Sequence, residues 1–235
     1  TGTLNGIGEH DTTVDKDWSG RLVWHPFYNK QDKWLKGLQI GGAFTRGRQN
    51  TDISGLVIEN ECRQEVVEYS AGVKMKGERL RTGGEVAYLA GPLAVMGEYV
   101  TVKNDLDLGA VQKSISTNVW YLAVSYVLTG EDKTFKGVTA NKPFDPAKGQ
   151  WGAWHIALRY TQLNLDSKLA DFNFTVPGNS TTQIDAWTAG LNWYLNKNVR
   201  IRTDFIGNTY ADPISVAGEN FSRENAMIMQ FQINF

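Results

Sequence analysis

The feature that most constrains this chain is its last strand-like run. From Met227 to Phe235 every second residue is apolar (Met227, Met229, Phe231, Ile233, Phe235), with Ile228, Gln230, Gln232 and Asn234 between them. Side chains alternate faces along a strand, so a period of two gives a ribbon with one greasy face and one amide face. The pattern recurs through the sequence. Trp120, Leu122, Val124, Tyr126 and Leu128 share one face, as do Trp154, Ile156, Leu158 and Tyr160. Trp187, Ala189, Leu191, Trp193 and Leu195 repeat it, followed by Val199, Ile201, Thr203 and Phe205. Earlier, Leu38, Ile40 and Phe44 oppose Gln39, Ala43 and Thr45, and Val86 and Tyr88 oppose Arg81, Glu85 and Ala87.

The polar face separates a soluble sheet from a membrane one. A soluble sandwich turns its second face to bulk water. Here that face is small, amide or arginine-bearing, lysines fall mainly in turns, and Trp or Tyr ends the apolar stripes as membrane-interface girdles do. No run approaches the ~18 apolar residues of a transmembrane helix. A barrel alternates, so a mean hydropathy of −0.36 does not argue against a membrane. Net charge is −1, which offers nucleic acid no basic field.

Strands are expected near 1–7, 18–27, 36–47, 79–90, 93–103, 117–129, 151–165, 184–195, 198–209 and 225–235, about ten in all. Tight turns fall at Asn196-Lys197 and Gly91-Pro92, with a slightly longer one at 28–34. Longer connections are expected at 48–77, 104–117, 130–150, 166–183 and 210–224, with 65–76 read as external loop. Outer-membrane barrels alternate short periplasmic turns with long external loops. The two consecutive long segments, 104–117 and 130–150, require one to be a generous periplasmic turn.

Several runs together carry a family resemblance. They are Trp151-Gly-Ala-Trp-His-Ile-Ala-Leu-Arg-Tyr-Thr-Gln-Leu-Asn-Leu-Asp166, Gly190-Leu-Asn-Trp-Tyr-Leu-Asn-Lys-Asn-Val-Arg200 and Tyr126-Val-Leu-Thr-Gly-Glu131. Gly77-Glu-Arg-Leu-Arg81, Gly91-Pro-Leu-Ala-Val-Met-Gly-Glu-Tyr-Val100 and Arg21-Leu-Val-Trp-His-Pro-Phe27 add to them. The chain resembles the C-terminal half of the phosphate-selective porin O and P family. The resemblance implies an antiparallel transmembrane β-barrel of about sixteen strands, water-filled and passing anions or small solutes. Residues 1–235 are then one all-β domain forming the C-terminal part of a longer barrel, because Leu4-Asn5-Gly6 resembles the end of a strand. A complete ten-stranded barrel is the competing expectation. The family's phosphate-selective Arg/Lys clusters lie partly outside this half, so that selectivity does not transfer by resemblance.

No enzyme constellation, Gly-rich phosphate loop, HExxH or CxxC occurs, and no metal or cofactor is expected. Cys62 has no partner for an internal disulfide, and His155 falls on the polar parity. The channel-lining candidates are Arg21, Arg81, Arg159, Arg200 and Arg202, all on the non-lipid parity, where charge in a membrane must be. Guanidinium keeps its charge and presents forked donors suited to oxyanions. Glu85, Glu98 and Asp204 share that parity, so a neutralising structural network is the alternative role for the same arginines. Lys74, Lys76, Arg79, Arg46 and Arg48 add positive charge near an external mouth. The lipid-facing aromatic candidates are Trp120, Trp154, Trp187 and Trp193. Sequons at Asn173, Asn179 and Asn220 read as chance.

The expected function is passive diffusion of small solutes, anions such as phosphate, across a bacterial outer membrane. The rivals are an occluded barrel anchoring a partner protein and a soluble carbohydrate-binding β-sandwich. Expected partners are outer-membrane lipid, further copies in a homotrimer, and the barrel-assembly machinery. Met229, Phe231, Ile233 and Phe235 resemble the signal that outer-membrane proteins present to that machinery.

Overall fold

The computed structural model describes residues 16–29 and 32–234. Nine antiparallel strands form one sheet in chain order. They are β1 (Trp18–Trp24), β2 (Leu38–Asp52), β5 (Lys74–Ala90), β6 (Leu93–Leu108), β7 (Val111–Val127), β8 (Ala153–Asn164), β9 (Gln183–Tyr194), β10 (Val199–Val216) and β11 (Glu219–Ile233). Between β2 and β5 the chain makes a small hairpin of β3 (Val57–Glu59) and β4 (Glu65–Glu68). Short helices α1 (Lys33–Lys36) and α2 (Lys168–Asp171) sit in connections. Among the described residues β1 and β11 are the free edges, and the sheet does not close on itself. The expected strand at 1–7 and the terminal Phe235 lie outside the described residues.

We call the rim holding the Gly91-Pro92 turn, the 25–37 and 195–198 connections and the end of β11 the lower rim. The rim holding 53–73, 165–182 and the starts of β5, β7, β9 and β11 is the upper one. Two expected long connections are instead strand. β6 and β7 run on to a two-residue turn at Gly109-Ala110, and β10 and β11 to one at Ala217-Gly218. Lys103, Asp105 and Asp107 charge the outward face of β6 there, while Leu106 and Ile115 on the inner face are buried, so the apolar stripe changes face and the mid-strand alternation is lost. Ala217 and Gly218 both take positive φ (53° and 86°), the geometry of the tight hairpin turn that matches strand twist. Near Pro213 the β10–β11 register slips between Thr209 and Ile214, where a residue without N–H interrupts the ladder. Each rim therefore carries both short and long connections, and the long 128–152 segment shares the lower rim with the short turns. Residues 65–76, expected as loop, divide into β4, a link, and the first residues of β5.

The sheet does not bury its most apolar face. Trp18 is 77% exposed, Leu158 63% and Met229 69%, and Leu22, Phe44, Tyr99, Leu122, Val124 and Trp187 are exposed with them. Aromatics bracket this outward stripe at equal spacing on four strands: Trp18 and Trp24, Trp120 and Tyr126, Trp154 and Tyr160, Trp187 and Trp193. Six steps separate each pair, about 20 Å along a strand. Neighbouring aromatics meet at both levels. Trp120 lies 5.4 Å from Tyr160 and Trp187 5.2 Å from Phe205 at the upper level, and Trp154 stacks on Trp193 at 5.1 Å at the lower.

The main core sits inside the upper rim. Val66, Val67, Val73 and Phe174 are fully buried against Leu106, Ile115, Ile184, Tyr210 and Ile214 from the inner face of the strands. Each such side chain contributes about 1.5–3 kcal/mol when buried, enough to hold a loop against a wall. The 53–73 and 165–182 segments are also tied by backbone bonds, Val176 N–H to Glu68 O (2.9 Å), Ser70 N–H to Phe174 O (3.0 Å) and Thr181 N–H to Val66 O (3.1 Å).

Candidate solute passage

Cross-strand register fixes which residues share the inner face. Glu85 stands opposite Glu98 and Gly41, Glu98 opposite Tyr121, and Tyr121 opposite Thr161. Arg159 stands opposite Ala123 and Thr188, Asp204 opposite Gly190 and Ile228, and Arg202 opposite Asn192 and Gln230. Arg21 (opposite Ala43), Arg81 (opposite Thr45) and Arg200 (opposite Tyr194) complete the set. The eight charged candidates thus project from one face, and the four tryptophans from the other.

The structure divides the eight into small groups. Arg21 reaches Glu85 at 2.6 Å, which offsets the like-charge opposition of Glu85 and Glu98. Arg202 pairs with Asp204 on its own strand. Arg159 lies over the Tyr121 ring, 4.5 Å from its centroid, and 3.7 Å from Glu61. Arg200 donates to Gln232 Oε1 at 2.5 Å and to the Tyr194 hydroxyl at 3.4 Å. Arg79, expected at an external mouth, pairs with Asp17, and Arg46 reaches Glu78 at 3.0 Å.

Arg159, Arg202 and Asp204 share a cavity of about 700 Å³, with Glu61 and Lys133 entering it from connections. Small residues (Ala94, Ala123, Ser125, Ala157, Gly190) leave the room. Side chains from β6 through β11 reach the same space, so the sheet is concave on this face.

Glu61 and Lys133 were not foreseen. Glu61 arrives because the 53–73 excursion folds inward and reaches across to β10 and β11. Asn60 Nδ2 donates to the Tyr210 hydroxyl and to Glu224 Oε2, each at 2.7 Å, and Tyr210 donates to Glu224 at 2.8 Å. Asn208 Nδ2 donates to the same carboxylate at 3.2 Å and faces Cys62 Sγ at 3.6 Å. Burial pushes the Cys62 thiol up, and the Glu224 carboxylate adds to the effect. Lys133 arrives because 128–152 is pinned to both neighbouring turns, Lys133 N–H to Gly91 O (2.8 Å) and Phe144 N–H to Leu195 O (2.6 Å). Val138 and Ala140 of this segment pack on Val127, Ala153 and Tyr194. Burial and the Arg200 charge hold the Lys133 ammonium below the ordinary lysine range. One signal was available in the sequence: Val66-Val67, Leu169 and Phe174 are large apolar residues inside supposed surface loops.

Among the described residues no cluster of His, Cys, Asp or Glu is arranged to hold a metal ion. What the inner face offers is water-accessible space lined by fixed positive charge, partly offset by carboxylates.

Comparison with known proteins gives two matches. The family described as phosphate-selective porin O and P matches residues 35–235. Porin O of Pseudomonas aeruginosa is 32% identical over 129 residues, which cover 53% of this chain and 28% of that protein. The aligned stretch is thus less than a third of that relative's length. Family members are channels rather than enzymes, residing in the outer membrane of Gram-negative bacteria, and the chain belongs to the phosphate-selective porin O and P family.

Proposed function

We propose that the whole protein is a water-filled outer-membrane β-barrel through which small anions diffuse passively. The observation that carries this reading is the inversion of the sheet. Large apolar side chains are exposed on one face, while Arg159, Arg202 and Lys133 line a concave cavity on the other. Lipid suits the first face and water the second. Among the described residues β1 and β11 have unpaired edges, which supports closure with further strands of a longer barrel, about sixteen in all, since an unpaired edge in a membrane leaves backbone groups unsatisfied. The polar extensions at the upper rim suit the external side. A homotrimer, and recognition of the terminal strand by the barrel-assembly machinery, belong to the same reading.

Full-length protein in planar bilayers under a salt gradient tests it. Discrete conductance steps with a reversal potential on the anion side are expected. Replacing Arg159, Arg200 and Arg202 with Ala is expected to move that potential toward cations. An unchanged potential would make those arginines scaffold. Absence of steps would favour the occluded anchor, which the two inward-folded segments make the specific rival.

A further inference from the structure

Tyr99 and Trp120 stand side by side on the outward face of β6 and β7, and beside them the wall is hollow. Gly84 lies opposite both Gly42 and Tyr99, and Gly97 lies opposite Val86 and Leu122. The resulting groove, of about 520 Å³, is walled by Ile40, Val86, Tyr99 and Trp120. A Cβ at Gly84 would meet nothing within 4 Å. Glycine inside a strand weakens it and commonly marks the place where something else lies against the backbone.

Towards the upper rim the same face changes chemistry in two steps, each about 7 Å along the strands. The first row pairs Thr82 with Thr101 and Thr101 with Asn118. The hydroxyls of Tyr99 and Thr101 both donate to Asn118 Oδ1, at 3.2 and 2.8 Å. The second row sets Arg46 and Lys103 on either side of Leu80, and Arg48 stands one step above Arg46. Two strand spacings, about 10 Å, separate the Arg46 and Lys103 backbones, which long side chains can close onto one anion. The nearby carboxylates are engaged. Glu78 pairs with Arg46 at 3.0 Å, Asp107 lies 3.9 Å from Lys76, and Asp105 accepts from the Glu78 N–H at 2.9 Å. Among the described residues Arg48 and Lys103 are exposed and have no ion pair.

From mid-membrane outward the order is thus an apolar groove, a neutral hydroxyl and amide row, and cations without counter-charge. That is the order of acyl chain, sugar and phosphate in a phosphorylated glycolipid. A glycerophospholipid carries its phosphate directly on glycerol and would leave the middle row unmatched. The apolar wall of a second copy would leave the cations unmatched. Guanidinium and ammonium groups above a membrane interface attract lipid phosphate.

We propose that this strip of β2, β5, β6 and β7 is a docking site for a phosphorylated glycolipid of the outer leaflet. One acyl chain lies over Gly84 and Gly97, the sugar meets Thr101 and Asn118, and a phosphate sits between Lys103 and the Arg46–Arg48 pair. The inference rests on the porin reading, which makes the upper rim external, but lipid capture is measured without transport. Conductance steps without capture would overturn the site alone. Capture without conductance would sink the porin reading and leave the site standing.

The test is native mass spectrometry of the full-length protein released from detergent. It is titrated with the diphosphorylated lipid portion of lipopolysaccharide, with the same lipid stripped of phosphate, and with phosphatidylglycerol. The diphosphorylated lipid is expected to bind at least about tenfold more tightly than either other probe, the difference made by one charge-assisted contact. Arg48→Gln combined with Lys103→Gln is expected to raise its midpoint about tenfold, and Gly84→Leu, which fills the groove, to raise it as well. Lys113→Gln, on the inner face over Phe172, is expected to stay within about twofold. Equal binding of all three lipids, or a midpoint unchanged in the cation variant or in Gly84→Leu, would overturn the proposal. Loss of protein oligomers in Gly84→Leu with lipid capture intact would overturn it in favour of a subunit interface.

Discussion

Glu61, on a connection, stands 3.7 Å from Arg159 on β8, so a loop carboxylate sets the field around a wall arginine. Both side chains remain close to half exposed, so the pair contributes little to stability, about 0–1 kcal/mol. Its effect is on the passage. Glu61→Gln leaves Arg159 uncompensated and is expected to move the reversal potential further toward anions, without a change in thermal stability. A shift toward cations would contradict the placement of Glu61 beside the lumen.

Val124 and Ser125 are adjacent in sequence and project from opposite faces of β7. An arginine on the lipid face near mid-membrane costs about 2–4 kcal/mol, whereas the cavity side offers water. Val124→Arg is therefore expected to lower the fraction that folds into lipid vesicles, and Ser125→Arg to fold nearly as well as the parent. Equal losses in urea-dependent folding would argue against two chemically distinct faces.

Phe174 is fully buried between the two upper-rim segments. Phe174→Ala leaves a cavity costing about 3–5 kcal/mol, and the cost falls on the segments rather than on the sheet. Hydrogen exchange is expected to quicken across 53–73 and 165–182 while β5 and β6 remain protected. Acceleration spread evenly over all strands would refute a separate upper-rim core.

Gly152 has φ of 71°, and a Cβ there would strike the Tyr194 carbonyl oxygen. Gly152→Ala is expected to loosen the 128–152 segment, read as faster limited proteolysis within it, while the barrel still folds. An unchanged cleavage rate would mean that the segment is held from elsewhere.

The sulfur of Cys62 reports on the inward fold of 53–73. The thiolate is the reactive form, so a thiol pushed up by burial and by Glu224 has less thiolate at a given pH. The alkylation rate by a neutral maleimide is expected to rise with a midpoint above the ordinary ~8.5 of a free cysteine. A midpoint at or below that value would place Cys62 in open water.

Alternation made the central strands readable because successive residues there project from opposite faces of one sheet, one face large and apolar and the other polar or small, which imposes a period of two. It failed where the apolar residues change face, since Leu106, Tyr210 and Ile214 are buried on the inner side there and the outward side is polar. The runs around Lys103–Asp107 and beyond Thr209 therefore looked like loops. The inward-folded segments were hidden for a different reason. The packing of Val66 and Phe174 on Leu106 and Ile214 depends on partners more than 30 residues away, which no local pattern records. Arginine parity put Arg21, Arg81, Arg159, Arg200 and Arg202 on one face, but Glu61, Lys133 and Glu224 come to that face through tertiary contacts alone. The pairing of Arg202 with Asp204 and of Arg21 with Glu85 needed coordinates, since parity places charges on a face without saying which of them touch.

Leu158 and Arg159 are adjacent on β8 and project from opposite faces, one expected to meet lipid and the other water. Spin labels at Leu158→Cys and Arg159→Cys, in the Cys62→Ser background of the full-length protein in vesicles, are compared for collision with oxygen and with a water-soluble nickel chelate. Oxygen is expected to dominate at 158 and the chelate at 159. The same preference at both positions, or the reverse order, would contradict the account.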